Sequence, residues 1–457
     1  MSNFIVADRK TDYLLPPSLE DWLNEDHLAR FVVEVIDQLD LSKLTRQYAG
    51  RGSKAHHPAT LLAILVYGYA TGVFSSRKLE RATYDSVAFR YIGAGSHPDH
   101  DTLASFRRRF LNELSELFVQ VLEMAKEMKL LKLGSVSLDG TKIHANASRH
   151  SALSHGHIEK LEVQLKAEVQ ELLALAERAD QADIPDGVCL PEEIKRREDR
   201  LAAMAAAKAK IAGRAEERYQ QEKAEYDEKM LHRAAKEVES GKKPGGKKPK
   251  VPEPGPRARD QVNLTDEESR IMTVAGGGYE QAYNAQAAVD AATMLVVATG
   301  LTQAANDKEQ VEPMLVTLQG QAEALGAVEC LIADSGFCRQ KNIEACEAAG
   351  IDPLIAGARD AHHPGWRERH SEPAPLPEDA TPLQAMAHRL QTKAGRALYA
   401  LRKQTVEPVF GIIKSVMGFR KFSLRGLQQV SGEWTLVCLA WNLKRMAVLC
   451  PNCVGSQ

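Results

Sequence analysis

The chain alternates between two kinds of apolar pattern. From residue 15 to 130 the apolar positions fall at helical spacing. Leu19, Trp22, Leu23, Leu28, Phe31, Val32, Val35 and Ile36 mark one such face. "HPATLLAILVYGYATGV" predicts a buried helix opened by Pro58, and "SSRKLERATYDSVAFRYI" a helix with serine caps. "HDTLASFRRRFLNELSELFVQVLEMAKEMKLL" predicts one long helix with Asp101 or Thr102 as its N-cap. Residues 1–130 thus form an all-α N-terminal domain in this reading.

Residues 131–157 change period. "SVSLD" at 135–139 predicts a short strand that ends on Asp139 and breaks at Gly140. From 158 to 238 the chain is rich in Ala, Glu, Lys, Arg and Leu, the composition of long helices. Leu161, Leu165, Val169 and Leu172 space like the seam of an antiparallel hairpin. "GKKPGGKKPKVPEPGPRARDQ" at 241–261 carries seven Lys and Arg among many Pro and Gly, and predicts a flexible basic linker. The helical insertion and its linker therefore span 158–261.

Strands and helices alternate over 262–448. Ala282–Asp290 and Met294–Leu301 read as two strands joined by a turn. "DKEQVEPMLVTLQGQAEALGA" follows as an amphipathic helix, "VECLIAD" as a buried strand ending on Asp334, "RQKNIEACEAAGI" as a helix and "DPLIAG" as a last strand. Residues 362–382, rich in Pro and His, read as loop, and helix dominates from Leu383 to Met417. Such alternation predicts an α/β fold, a mixed sheet flanked by helices. Residues 449–457 are a tail.

Composition adds exclusions. A chain of 457 residues predicts two or three domains. Net charge is -2, so any nucleic-acid binding must come from local basic patches. Arg46, Arg51, Lys54, Arg77, Lys78, Arg81 and Arg107 to Arg109 supply one in the helical domain, set against the plainer reading of a solvated face. No secretory leader and no apolar run of spanning length is visible, so a cytoplasmic protein without membrane contact is expected. Seven scattered cysteines suggest reduced thiols, and the lone C-P-N-C of Cys450 and Cys453 is weak as a zinc site. His362, His363 and His370 lack convergent spacing for a metal.

The candidate chemistry lies in two strands that each end on Asp beside a Gly: Asp139 with Gly140, and Asp334 with Gly336. Two carboxylates at one sheet edge repel unless a cation lies between them, and oxygen ligands favour Mg2+. A third carboxylate, Glu407, stands in "ALYALRKQTVEPVFGIIKSVMGFRKF" with Arg402, Lys403 and Lys414 near its helical face. Pro408 requires the helix either to restart there or to kink. Lys142 and His144 follow the first Asp. Asn284 and Gln286 read as buried amides paired with backbone, and Asn442 as a tether for a late helix.

These segments in order, "SLDGTKIHANAS", "YNAQAAVD", "ADSGF", "VEPVFGIIK" and "AWNLKRM", resemble the DDE transposases of bacterial insertion sequences. Within the large IS-four and IS-five-like assemblage they are most similar to its eleven-eighty-two-like group. "HPATLLAILVYGYATGVFSSRKLE" and "HDTLASFRRRF" resemble the family's DNA-binding region.

The resemblance implies an RNase H-like catalytic core over 131–157 and 262–448. It implies Asp139, Asp334 and Glu407 as a catalytic, metal-binding triad for Mg2+, with Mn2+ as an alternative. DNA contacts are implied for Tyr399, Arg402 or Lys403, Lys414 and Lys142, beside Arg77, Lys78, Arg107 and Arg108 of the helical domain. The family's Tyr-x2-Arg-x3-Glu-x6-Lys signature fits at Tyr399, Arg402, Glu407 and Lys414 except for one extra residue between Arg402 and Glu407, which puts Lys403 in the signature position. The implied reaction is metal-dependent DNA cleavage at the element's terminal inverted repeats, followed by attack of the freed 3'-hydroxyl on target DNA, by an oligomer. A stand-alone nuclease and a catalytically silent DNA-binding protein are the rivals.

Overall fold

A computed structural model describes residues 18–48, 55–177, 190–240, 245, 248–274, 276–357, 371–377 and 380–450. Two compact units emerge. The first holds Met1–Ala145, Met272–Gly278 and Ala282–Gln457, the second Asn146–Ile271 and Tyr279–Gln281.

Among the described residues of the first unit, seven α-helices precede the sheet: α1 (Leu28–Asp37), α2 (Ser42–Thr45), α3 (Pro58–Thr71), α4 (Ser76–Asp85), α5 (Val87–Ile92), α6 (His100–Arg109) and α7 (Leu114–Glu127). Pro58 sits in the first turn of α3, where its missing N–H costs nothing, and Gly72 ends the helix at a φ of 86°. Three expectations change here. The single helix anticipated over 75–92 divides into α4 and α5, because Ser86 between them is extended. The helix anticipated from residue 19 is a short 3-10 turn, Glu20–Trp22, before α1. The long helix anticipated from His100 onward breaks into α6 and α7, because Phe110 and Leu111 turn inward and are buried between them. Its N-cap is Asp99, whose carboxylate accepts the Thr102 N–H at 2.6 Å, not Asp101 or Thr102.

Eight strands follow among the described residues. β1 (Ser135–His144) is the centre of the main sheet. β2 (Ala152–Ser154) and β3 (Gln261–Asn263) form a separate ribbon. The others are β4 (Arg270–Thr273), β5 (Tyr279–Asp290), β6 (Val296–Thr302), β7 (Cys330–Ala333) and β8 (Asp352–Ile355). The main sheet has six strands, with β5, β1, β7 and β8 adjacent in that order, β6 paired to β5, and β4 as the sixth. β5 runs antiparallel to β1 and β6, while β7 is parallel to β1 and β8, so the sheet is mixed as anticipated.

The strand at 135 does not stop at Asp139. It continues through Gly140 to His144, because β5 pairs with it along that whole length, Gly140 opposite Gln286. The strand that stops is the neighbour, β7, at Ala333.

The helix Leu427–Leu449 is buried around most of its circumference and packs on β6, α3 and α7. Asn442 fastens it: its amide oxygen accepts the Val296 N–H and its amide nitrogen donates to the Val296 carbonyl, both at 2.8 Å. Trp434 and Trp441 donate indole N–H groups to the Gln286 and Met294 carbonyls at 2.9 Å each. A fully buried carboxylate, Glu433, accepts the Tyr69 hydroxyl at 2.8 Å and the backbone N–H groups of Ser423 and Leu424 at 2.9 Å each.

In the second unit, α8 (His155–Glu177) and α9 (Leu190–Ser240) lie antiparallel, since partners descend α8 as they ascend α9. Glu168 pairs with Arg197 at 2.8 Å and Glu162 with Lys208 at 3.1 Å. Ile158, Leu165, Met204, Ala207, Ile211 and Val262 form the apolar core of this hairpin. The second half of the expected flexible linker is tied down: Arg257 bonds Glu222 at 2.9 Å and Asp260 bonds Arg218 at 2.8 Å. Opposite charges on α9 account for the difference, since they give the basic segment partners.

Cys330, Cys338, Cys346 and Cys438 are free thiols, but Cys450, at the end of the last helix, is disulfide-bonded, against the expectation of reduced cysteines. Arg51, Lys54, Cys453, His362, His363 and His370 lie outside the described residues. Among the described residues no single helix is long and apolar enough to cross a membrane.

Candidate active site

The parallel register sets the first two carboxylates side by side. Leu138 of β1 is the partner of Ala333 of β7, so Asp139 and Asp334 are the next residues on adjacent chains. Asp334 then turns, its Oδ1 accepting the Gly336 N–H at 2.8 Å at the head of a short 3-10 turn. Burial pushes the Asp139 carboxyl up to about 6, and the charge of Asp334 adds to this. The Gly140 N–H, at 2.8 Å, and Arg402 oppose the shift.

The third acid arrives on the helix Lys393–Gly411, which lies on β1. This helix neither restarts nor breaks at Pro408; α-helix continues to Gly411 and then widens into a π turn over Ile412–Val416. Arg402 projects from it into the sheet, with its side chain 12% exposed. Its guanidinium reaches Asp139 Oδ2 at 3.2 Å and Glu407 Oε1 at 3.0 Å. One cation thus bridges the carboxylates of β1 and of the helix. Lys403, the alternative from the signature spacing, faces solvent.

Lys414 in the π turn donates to Thr141 Oγ1 and, at 3.0 Å, to the Lys142 carbonyl. Burial, and then the charge of Lys142, hold its ammonium below the usual lysine range. Tyr399 packs on the sheet beside Cys330, Ile332 and Leu354. His144 is engaged through its backbone, with the Arg420 carbonyl at 3.1 Å and the Phe422 N–H at 2.9 Å.

On the opposite face of β1 stands a carboxylate that the sequence reading overlooked. Asp307 Oδ1 accepts amide N–H groups from Asn284 and Gln286, each at 2.6 Å. Lys142 Nζ stands 3.6 Å from its Oδ2. Asn284 therefore pairs with a side chain as well as with backbone, at Ala304 O. The available signal was the period of two. Asn284 and Gln286 fall opposite Lys142 and Gly140, so two buried amides required a polar partner on that face.

The helical domain's basic residues separate. Arg46, Arg77, Lys78, Arg81 and Arg108 are exposed. Arg107 is buried, 8% exposed, and donates to the Tyr69 hydroxyl at 2.9 Å and the Phe74 carbonyl at 3.0 Å. Its grouping with the surface arginines is corrected accordingly: α6 turns it toward the core.

Among the described residues no three His, Cys, Asp or Glu stand close enough together to form a metal cluster. The donor set nevertheless suits a hard cation. Asp139 and Asp334 are adjacent and mutually repelling, and a guanidinium already bridges Asp139 to Glu407.

Two family models match the chain. One, described as Transposase domain (DUF772), covers residues 17–109, and the other, described as Transposase DDE domain, covers residues 250–443. No curated protein and no solved structure matches it significantly.

Proposed function

We infer the function of this chain from its family, the DDE-type insertion-sequence transposases, to which it belongs. We take it to cut DNA at the ends of an insertion sequence and to join the freed 3' ends to target DNA. The observation that supports this reading is that Asp139 lies beside Asp334 on adjacent strands and is linked to Glu407, from a distant helix, through the Arg402 guanidinium. The strand order and the site at the end of β7 support an RNase H-like core.

In this reading Asp139, Asp334 and Glu407 hold Mg2+, with Mn2+ as an alternative. A divalent cation there supplies positive charge to the phosphodiester undergoing exchange. The remaining work falls to side chains. Arg402 neutralises Asp139 and Glu407 before the cation arrives, and its planar fork suits phosphate as well as carboxylate. Lys414, anchored to Thr141, sets an ammonium beside β1 where it orients the DNA backbone, while the Lys142 ammonium, the other cation expected to meet DNA, faces Asp307. Arg77, Lys78 and Arg108 on the helical domain contact phosphates of the element ends. Two copies of the chain acting on paired ends complete the reading, with no membrane involved and the bacterial cytoplasm as its place of action.

Cleavage and joining of a labelled DNA carrying the element's ends tests this, with wild type beside Asp139→Ala and Glu407→Gln in Mg2+. Joining by wild type alone supports transposition. Cleavage without joining indicates a plain nuclease, and DNA binding without cleavage by any of the three indicates a silent DNA-binding protein. Cleavage by Asp139→Ala removes that residue from the site.

A further inference from the structure

We propose that Asp307 is a fourth acidic residue of this site, one that strengthens cation binding through its charge from behind β1 rather than by coordination. The inference rests on the reading that Asp139, Asp334 and Glu407 hold a divalent cation.

Gly140 locates Asp307. A Cβ built at Gly140 would overlap Asp307 Oδ1, Gln286 Nε2 and Asn284 Oδ1. The Asp307 carboxylate therefore lies against the backbone one residue from Asp139, and only glycine lets it approach so closely. It is also near enough to repel the Asp139 carboxylate.

The cradle around Asp307 is costly, which argues against a mere loop tie. Asn284 and Gln286 are 0% and 1% exposed, and each leaves its amide oxygen without a partner. Buried acceptors without donors destabilise a fold. An apolar contact would pin the loop after β6 without that cost. What the two amides achieve is to aim both N–H groups at one oxygen and fix a negative charge at this spot.

The charge faces one ammonium. Lys142 Nζ, at 3.6 Å, is beyond hydrogen-bond distance from Asp307 Oδ2. Removing the ammonium should thus have the opposite effect from removing the carboxylate. Asp307 is a positioning residue in this scheme, since it touches neither the DNA nor the cation.

Mn2+ is the probe. Its affinity for the full chain without DNA is measured by calorimetric titration and by loss of the free-ion paramagnetic resonance signal. Wild type is compared with Asp307→Asn, Lys142→Met and Asp139→Asn, and the metal-free melting temperature of each reports on folding. Asp307→Asn should weaken binding roughly fivefold or more, the scale of one charge acting through partly screened protein. Lys142→Met should tighten binding. Unchanged affinity in Asp307→Asn, or shifts of the same sign in both variants, overturns the proposal while leaving the triad in place. No Mn2+ uptake by wild type, or full uptake by Asp139→Asn, overturns the reading of the triad and this proposal with it.

Discussion

Arg402 donates to Asp139 across 3.2 Å although 263 positions separate the two residues in the chain. The same guanidinium reaches Glu407, so one side chain holds a strand acid and a helix acid together. Its charge stands where two carboxylates would otherwise face each other without compensation.

Arg402→Gln should accordingly destabilise the metal-free protein. Both members of the Arg402–Asp139 pair are largely withdrawn from water, at 12% and 18% exposure. Removing one partner of such a pair leaves the other uncompensated, at a cost of about 3 kcal/mol. Urea unfolding in EDTA measures this. Added Mg2+ should restore more stability to Arg402→Gln than it adds to wild type, and equal gains would mean that Arg402 does not stand in for a cation.

The Asp139 carboxyl gives a pH dependence with a definite sign. Its value is about 6 in the folded chain against an ordinary 3.8. Between those limits the folded state keeps a proton that the unfolded state releases, so this group favours folding at low pH. That advantage disappears as pH rises through about 6, and the full difference is roughly 3 kcal/mol. Metal-free wild type should therefore lose stability relative to Asp139→Asn between pH 4 and pH 7. Saturating Mg2+, which needs the ionised carboxylate, should reverse the slope. Paired thermal melts across that range, with EDTA and with Mg2+, make the comparison.

Gly140→Ala should be disproportionately damaging for one added methyl group. The new Cβ meets two amides and a carboxylate held in mutual hydrogen bonds, so none can yield freely. Overpacking of this kind costs about 2 kcal/mol. Denaturant midpoints give the stability. A variant as stable as wild type would show that the Asp307 loop moves aside easily.

Glu433→Ala tests the packing of the first unit. Glu433 takes a phenolic O–H and two backbone N–H groups while fully buried. Tyr69, whose buried hydroxyl holds its proton well above the ordinary tyrosine range, also accepts from Arg107. Deleting the carboxylate strands several buried donors, and about 3 kcal/mol should be lost. Calorimetry should show a lowered unfolding temperature. An unchanged one would mean that water replaces the carboxylate without cost.

Much of this architecture was legible in the linear pattern. Short apolar runs between turn signals marked β5, β6, β7 and β8, and helical runs marked α1, α3, α4 and the insertion hairpin. Asn442 was readable as a tether because an amide on an otherwise apolar helix needs a partner. Misreadings fell where local pattern and long-range packing disagree. Gly140 reads as a breaker, yet β5 supplies hydrogen bonds along the whole strand and leaves room for none but glycine. Arg107 reads like its neighbours Arg108 and Arg109, and only the burial of α6 separates them. Pro408 suggests a restart or a kink, and the helix runs through it without restarting and opens into a π turn at Ile412.

The sequence by itself determined which acids were available and the kind of element each occupies. Those properties follow from side-chain chemistry and the local periods of helix and strand. Tertiary structure decided the rest: that Asp139 and Asp334 fall in adjacent register, that Arg402 and not Lys403 lies between the acids, and that Asp307 stands behind Gly140. Each depends on strand register or helix rotation, where one residue of slip moves a side chain to another face. Register and rotation are fixed only when the whole core packs.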